Sequence, residues 1–167
     1  SAAMSPTPTM VTPAYGTLER TPAAAEGAQR LTTSQKLQAA REEVVTLDDL
    51  LLGDAGILPF GEETPTHALM GRFGNVFLIN GETKYSLPVA RGEVVRFYLT
   101  NVSNTRPFNL SFGGAPMKVV GADIGKFERE AWVESVAIAP AQRYIVDVRF
   151  PDAGDVAITN QVQAINH

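Results

Sequence analysis

Gly92-Glu93-Val94-Val95-Arg96-Phe97-Tyr98-Leu99-Thr100-Asn101 is the stretch whose reading decides the fold. Val95, Phe97 and Leu99 recur at every second position and share one face, while Val94, Arg96, Tyr98 and Thr100 share the other. A period of two marks a strand with one buried face. The same device follows in Phe108-Asn109-Leu110-Ser111-Phe112, with Phe108, Leu110 and Phe112 inward. Gly113-Gly114-Ala115-Pro116 then turns the chain into Met117-Lys118-Val119-Val120-Gly121, and strands over 132–138, 144–150 and 156–159 complete the downstream set. Upstream, Asn75-Val76-Phe77-Leu78-Ile79 is a strand, and Asn80-Gly81 after it is a strong hairpin signal, because a type I′ turn needs φ > 0 at both central residues. Thr83-Lys84-Tyr85-Ser86-Leu87 is the expected return, and Pro88 ends its ladder. Strands spaced by about 8–15 residues, with no helix-length period between them, predict an all-β sandwich or barrel. Periodicity alone goes no further.

The chain changes style towards its N-terminus. Residues 1–32 carry Pro6, Pro8, Pro13 and Pro22 among many Thr, Ala and Ser, with neither a helical nor a strand period. This Pro/Ala-rich segment reads as an arm or linker. Thr33 or Ser34 is placed to cap one short helix near 33–41. The expected division is therefore an arm over 1–41 and a domain over 42–167, the arm held either by the domain's own face or by a neighbouring chain. Glu42-Glu43-Val44-Val45-Thr46-Leu47-Asp48-Asp49 opens the domain as a strand ending in acids. Residues 50–60, broken by Gly53, Gly56 and Pro59, read as a loop or broken strand.

With 167 residues the chain fits one domain and an arm. A domain of ~150 residues hides roughly 68–70% of its unfolded surface, enough for a core without staples. A net charge of −4 argues against nucleic acid, whose phosphates need a basic face. No apolar run reaches the ~18 residues of a membrane span, and no signal-peptide pattern is visible. There is no cysteine, hence neither disulfide nor thiolate chemistry, and there are two histidines.

The wording of the strands carries a resemblance. Asn80-Gly81, the 92–101 strand with its Val95-Arg96 and Asn101, Phe108-Asn109-Leu110, Met117-Lys118-Val119-Val120-Gly121-Ala122-Asp123, and Ile138-Ala139-Pro140-Ala141-Gln142-Arg143-Tyr144 resemble, in order, the second cupredoxin domain of multicopper oxidases. The entry strand 42–49 is similar too, and Thr66-His67-Ala68-Leu69-Met70-Gly71-Arg72-Phe73-Gly74-Asn75 resembles a stretch of bacterial laccase-like members. The resemblance covers about residues 42–167. Two departures stand out: the family's proline-glycine turn reads Pro140-Ala141, and its Asp-Gly reads Asp123-Ile124-Gly125. Residues 1–41 do not resemble the cupredoxin domain that precedes this one in such oxidases.

The resemblance implies a cupredoxin-like Greek-key β-sandwich. It implies a parent protein that oxidises its substrate one electron at a time and reduces O₂ to water at copper, periplasmic or secreted, with this chain as its central structural domain. The partners are then the neighbouring cupredoxin domains of the parent; homo-oligomerisation stays open. A blue copper centre needs a Cys thiolate and two His, usually with an axial Met. The family's trinuclear cluster uses His-x-His pairs. This chain has neither, only His67 and His167. The expectation is no catalytic, cofactor or metal residue here, with copper confined to the parent. The isolated chain should be inactive. The alternative is a non-catalytic cupredoxin-like scaffold or adaptor that has lost copper. A small copper carrier using His and Met is a third reading.

His67, Met70, Arg72, Phe73, Arg106 and Asp123 are carried as interdomain contact candidates. Each has a plainer alternative. His67 lies in a loop-like stretch and reads as a surface hydrogen-bonding residue before it reads as a ligand. Met70 and Met117 have soft thioethers, but methionine in a core strand is usually a gap filler. Asp48-Asp49 and Glu62-Glu63 read as solvated loop charges. Asn101-Val102-Ser103 and Asn109-Leu110-Ser111 match the glycosylation sequon, and both read as unused.

Overall fold

The structure, a computed structural model, describes residues 16–18, 20–21, 41–59, 61 and 64–162. The strands are β1 (Gly16–Leu18), β2 (Arg20–Thr21), β3 (Arg41–Leu50), β4 (Leu52–Gly53), β5 (Gly56–Ile57), β6 (Val76–Ile79), β7 (Tyr85–Ser86), β8 (Val89–Ala90), β9 (Val94–Asn101), β10 (Phe108–Phe112), β11 (Met117–Ala122), β12 (Gly125–Val133), β13 (Val136–Ile138), β14 (Arg143–Arg149) and β15 (Val156–Asn160). One helix, α1 (Thr64–Met70), lies between β5 and β6. A six-stranded sheet in the order β12-β11-β14-β9-β3-β6 faces a five-stranded sheet in the order β13-β10-β15-β1-β7. From β9 to β10, β10 to β11, β12 to β13, β13 to β14 and β14 to β15 the chain crosses between the sheets, the expected Greek-key sandwich.

The alternation predicted for 94–101 sets the core. Val95, Phe97 and Leu99 are buried on β9, and Phe108, Leu110 and Phe112 are buried on β10. The Phe97 and Phe112 rings meet between the sheets with centroids 5.0 Å apart, and Phe77 meets Phe108 edge-on at 6.4 Å. Met117 is buried among them as a filler. On the outer face of the six-stranded sheet, Arg96 and Asp147 are directly opposite and form a two-point ion pair, Nε to Oδ1 at 2.7 Å and Nη2 to Oδ2 at 2.9 Å.

Several expectations need correction. The Asn80-Gly81 turn forms with φ of 53° and 80°, as type I′ requires. Its return is cut to one bridge, Ile79 to Glu82. Tyr85–Ser86 instead leaves for the other sheet and pairs in parallel with β1, while β6 pairs with β3. Two short strands come from the segment read as an arm. β1 lies between β15 and β7, and β2 pairs with β8. That part of the segment is held by the domain's own sheets. The helix expected near 33–41 falls outside the described residues, apart from Arg41, which begins β3. The stretch around His67, read as loop-like, is α1. Residues 125–131, given no strand, belong to the nine-residue β12 at the edge of the larger sheet.

Candidate functional site

Strand directions gather one set of loops at one end of the sandwich. β3 runs parallel to β9, so Leu50 and Asn101 finish at the same end. β11 finishes and β14 starts there, with Ala122 opposite Tyr144, and β10 starts there, with Phe108 opposite Ile138. The connection carrying α1, the 102–107 loop and the turns at 123–124 and 139–142 therefore share this end. All six contact candidates lie on these connections.

Arg106 is the centre of a buried network. Its Nε donates to Asp49 Oδ2 at 2.8 Å and its Nη2 donates to the Gly74 carbonyl at 2.8 Å. The Gly74 amide donates to the same Asp49 oxygen at 2.6 Å. The guanidinium lies over the Phe77 ring at 4.6 Å and the Phe73 ring at 5.0 Å. Asn101, with no exposed surface, ties the other side: its Nδ2 donates to the Arg106 and Ile138 carbonyls, and its Oδ1 accepts from the Ser103 amide and hydroxyl. A buried amide with all these bonds made offers nothing to a glycosyl donor, so the first sequon is closed in the folded chain.

Asp49 is a correction. By sequence it reads, with Asp48, as a solvated loop charge, yet it is buried and ion-paired. The signal was present in the strand period: Val45, Leu47 and Asp49 are the buried positions of β3, so Asp49 occupies an inward position. Glu62 and Glu63 lie outside the described residues.

The other candidates divide. Arg72 Nη1 donates to the carbonyls of Leu58 at 2.9 Å and Pro59 at 3.3 Å, pinning the β4–β5 hairpin to the segment after α1. Asp123, in a left-handed conformation with φ 39°, accepts the Arg143 amide on its Oδ1 at 2.9 Å and so ties the 123–124 turn to the start of β14. His67 and Met70 border an open groove of about 640 Å³ whose other walls include Thr64, Gly71, Thr105 and Pro140. The sequence reading missed Gly71 and Thr105. Gly71 has φ 77° and ends the helix; a Cβ there would lie 1.6 Å from Thr105 Oγ1, so only glycine lets the helix end seat on the 102–107 loop. The helix itself buries no residue; Leu69 is 88% and Met70 60% exposed.

The groups with displaced proton affinity stand on the strands. Burial, then Glu43, raises Tyr85; the hydrogen bond to Glu42 raises Tyr98; the hydrogen bond to Asp147 raises Arg96. None of them joins the groove.

The donor set does not fit a blue copper centre, which would take a thiolate that this chain cannot supply. Among the described residues, no three His, Cys, Asp or Glu side chains converge as a metal-holding group. No helix among them is long and apolar enough to cross a membrane.

Comparison with known proteins agrees with the strand wording. The multicopper oxidase family model matches residues 57–167. The chain is 29% identical over 116 residues to the cell division protein FtsP of Photorhabdus laumondii, covering 69% of this chain and 24% of that protein. It is 36% identical over 78 residues to a laccase of Bacillus subtilis, covering 46% of this chain and 15% of the laccase. A solved multi-copper oxidase from Pseudomonas thermotolerans superposes with a TM-score of 0.63 at 26% identity, covering 72% of this chain and 30% of that one. The chain thus spans a quarter or less of the length of these two curated relatives. By its fold, its strand wording and the extent of the match, the chain belongs to the multicopper oxidase family.

Proposed function

We propose that this chain is the copper-free central domain of a larger multicopper oxidase, acting as a rigid spacer between copper-bearing neighbours. One observation carries the reading: a family member that spans about a quarter of its FtsP relative contains no cysteine. The chemistry then belongs to the rest of the polypeptide, as a laccase-like one-electron oxidation coupled to O₂ reduction in the periplasm or outside the cell. The end of the sandwich bearing α1, with His67, Met70, Arg72, Phe73, Arg106 and Asp123, is its contact face. Arg106 and Asp123 serve that face by fixing its backbone, since both are bonded within the domain.

The longer match to FtsP favours a second reading, a scaffold role in cell division with no oxidase activity. The complete open reading frame, expressed and loaded with copper, separates the two. Flanking His-x-His domains and copper-dependent oxidation of a phenolic dye with O₂ uptake are expected on the first reading. A full-length product that lacks those motifs and consumes no O₂ would leave the scaffold.

A further inference from the structure

We propose that the cleft between β15 and residues 85–90 is a strand-acceptor site. Its occupant, β1 with β2 of the same chain, is held as a ligand is held. The segment can leave, and an identical extended peptide from outside can replace it, while the sandwich stays folded. The inference goes beyond the oxidase reading and does not depend on it.

The contact is a backbone ladder on two sides. β1 stands between β15 and β7. It pairs antiparallel with β15, Gly16 opposite Ile158 and Leu18 opposite Val156, and parallel with β7, Gly16 opposite Tyr85 and Thr17 opposite Ser86. β2 then pairs parallel with β8, Arg20 opposite Val89 and Thr21 opposite Ala90. One register therefore carries through both parallel ladders, from 16 beside 85 to 21 beside 90. Pro88, between β7 and β8, has no N–H to give, and the pairing is interrupted there. An extended peptide adds to a sheet in this way. Main-chain hydrogen bonds hold it, so any chain of the same sequence and direction makes the same bonds.

The walls of the cleft are anchored in the domain itself. β15 is paired on its other side with β10, and Val156 and Ile158 belong to the core. Leu87 and Val89, on the opposite wall, belong to the same core. The Pro88 carbonyl accepts from Arg41 Nη1 at 2.8 Å, which ties this wall to β3. What the walls need from outside is a partner for the β15 backbone groups that face the cleft. Such groups are costly to leave unpaired, and an extended segment satisfies them together.

The tether does not fix the segment in place. Residues 22–40 join β2 to β3, and that length of chain, fully extended, reaches roughly 60–70 Å. The ends it joins are close. Thr21 pairs with Ala90, and the Arg41 side chain reaches Pro88, two residues away. The connection is far longer than the step it makes, so the ladders are what hold β1 and β2 in the cleft.

The test keeps the whole chain and cuts it after folding. A protease site is inserted between Ala24 and Ala25, and the folded protein is nicked. A fluorescent synthetic peptide of residues 10–24 is added in excess, in parallel with the same peptide carrying Thr17→Pro, which cannot give the ladder its N–H. Gel filtration reads the peptide bound, and hydrogen exchange reads the strands over 94–101 and 143–149. The expected result is saturable uptake in place of the nicked segment, at least tenfold tighter than for the Thr17→Pro peptide, with exchange over both strands unchanged. Equal binding of the two peptides would overturn the site, since a backbone ladder distinguishes them. Retention of the nicked segment without uptake, or uptake only as 94–101 and 143–149 open, would make the segment an integral strand and overturn the inference. Loss of the segment with no rebinding would equally contradict an acceptor site.

Discussion

Asp49 and Arg106 show how one inward acid shapes a whole end of the molecule. The pair is buried, and each partner also bonds to Gly74, so removing either strands the other. Breaking a buried pair from one side costs about 3–5 kcal/mol. Asp49→Ala and Arg106→Ala should each lose that much in urea unfolding, and the double variant should lose less than the sum, with a coupling of about 0.5–3 kcal/mol. Strict additivity would show that the pair does not act as a unit. A second residue is strained in the opposite sense. Ala141 sits at φ 65° behind Pro140, in a turn closed by the Gln142 amide donating to the Ala139 carbonyl at 3.0 Å. This is the type II arrangement, which favours glycine at its third position. Relief of left-handed strain, about 1–2 kcal/mol, outweighs the extra freedom of glycine in the unfolded chain, about 0.4–1 kcal/mol. Ala141→Gly should therefore raise the urea midpoint modestly, and a lowered midpoint would contradict the strain argument.

Elements were legible where burial writes a period. β9 and β10 each carry their apolar side chains on one buried face, and the alternation of residue type marks both. Residues 125–131 of β12 carry no strand signal because eight of the nine residues of β12 are exposed and the ninth only half-buried, leaving no buried face to impose a pattern. β1 is three residues long, too short to show any period, and its place between β15 and β7 is a long-range pairing. α1 was missed for the same reason as β12: with no buried residue it has no apolar stripe. The hairpin was half legible, since Asn80-Gly81 dictates the turn but not the distance its return strand stays paired. Of the candidate site, the wording of the 66–75 stretch draws attention to His67, Met70, Arg72 and Phe73, whereas the role of Gly71 depends on its contact with Thr105, 34 residues away, and has no local signal. Gly71→Ala should cost about 1–3 kcal/mol from the left-handed conformation alone. It should also loosen the seating of α1, seen as faster hydrogen exchange over 64–71 with the strands unchanged. Unchanged exchange there would show that the helix does not depend on this contact.

At the scale of the whole molecule, the fold and the donor set lead to one account. The sandwich is that of the multicopper oxidase family, while the chemistry of a blue copper centre is missing from the sequence at its first requirement, the thiolate. The most direct measurement is copper retention: the purified chain is equilibrated with excess Cu(I) or Cu(II), passed through gel filtration, and assayed for metal per chain together with its visible spectrum. The account predicts copper far below one equivalent and no blue absorption. Retention near one copper per chain would contradict it.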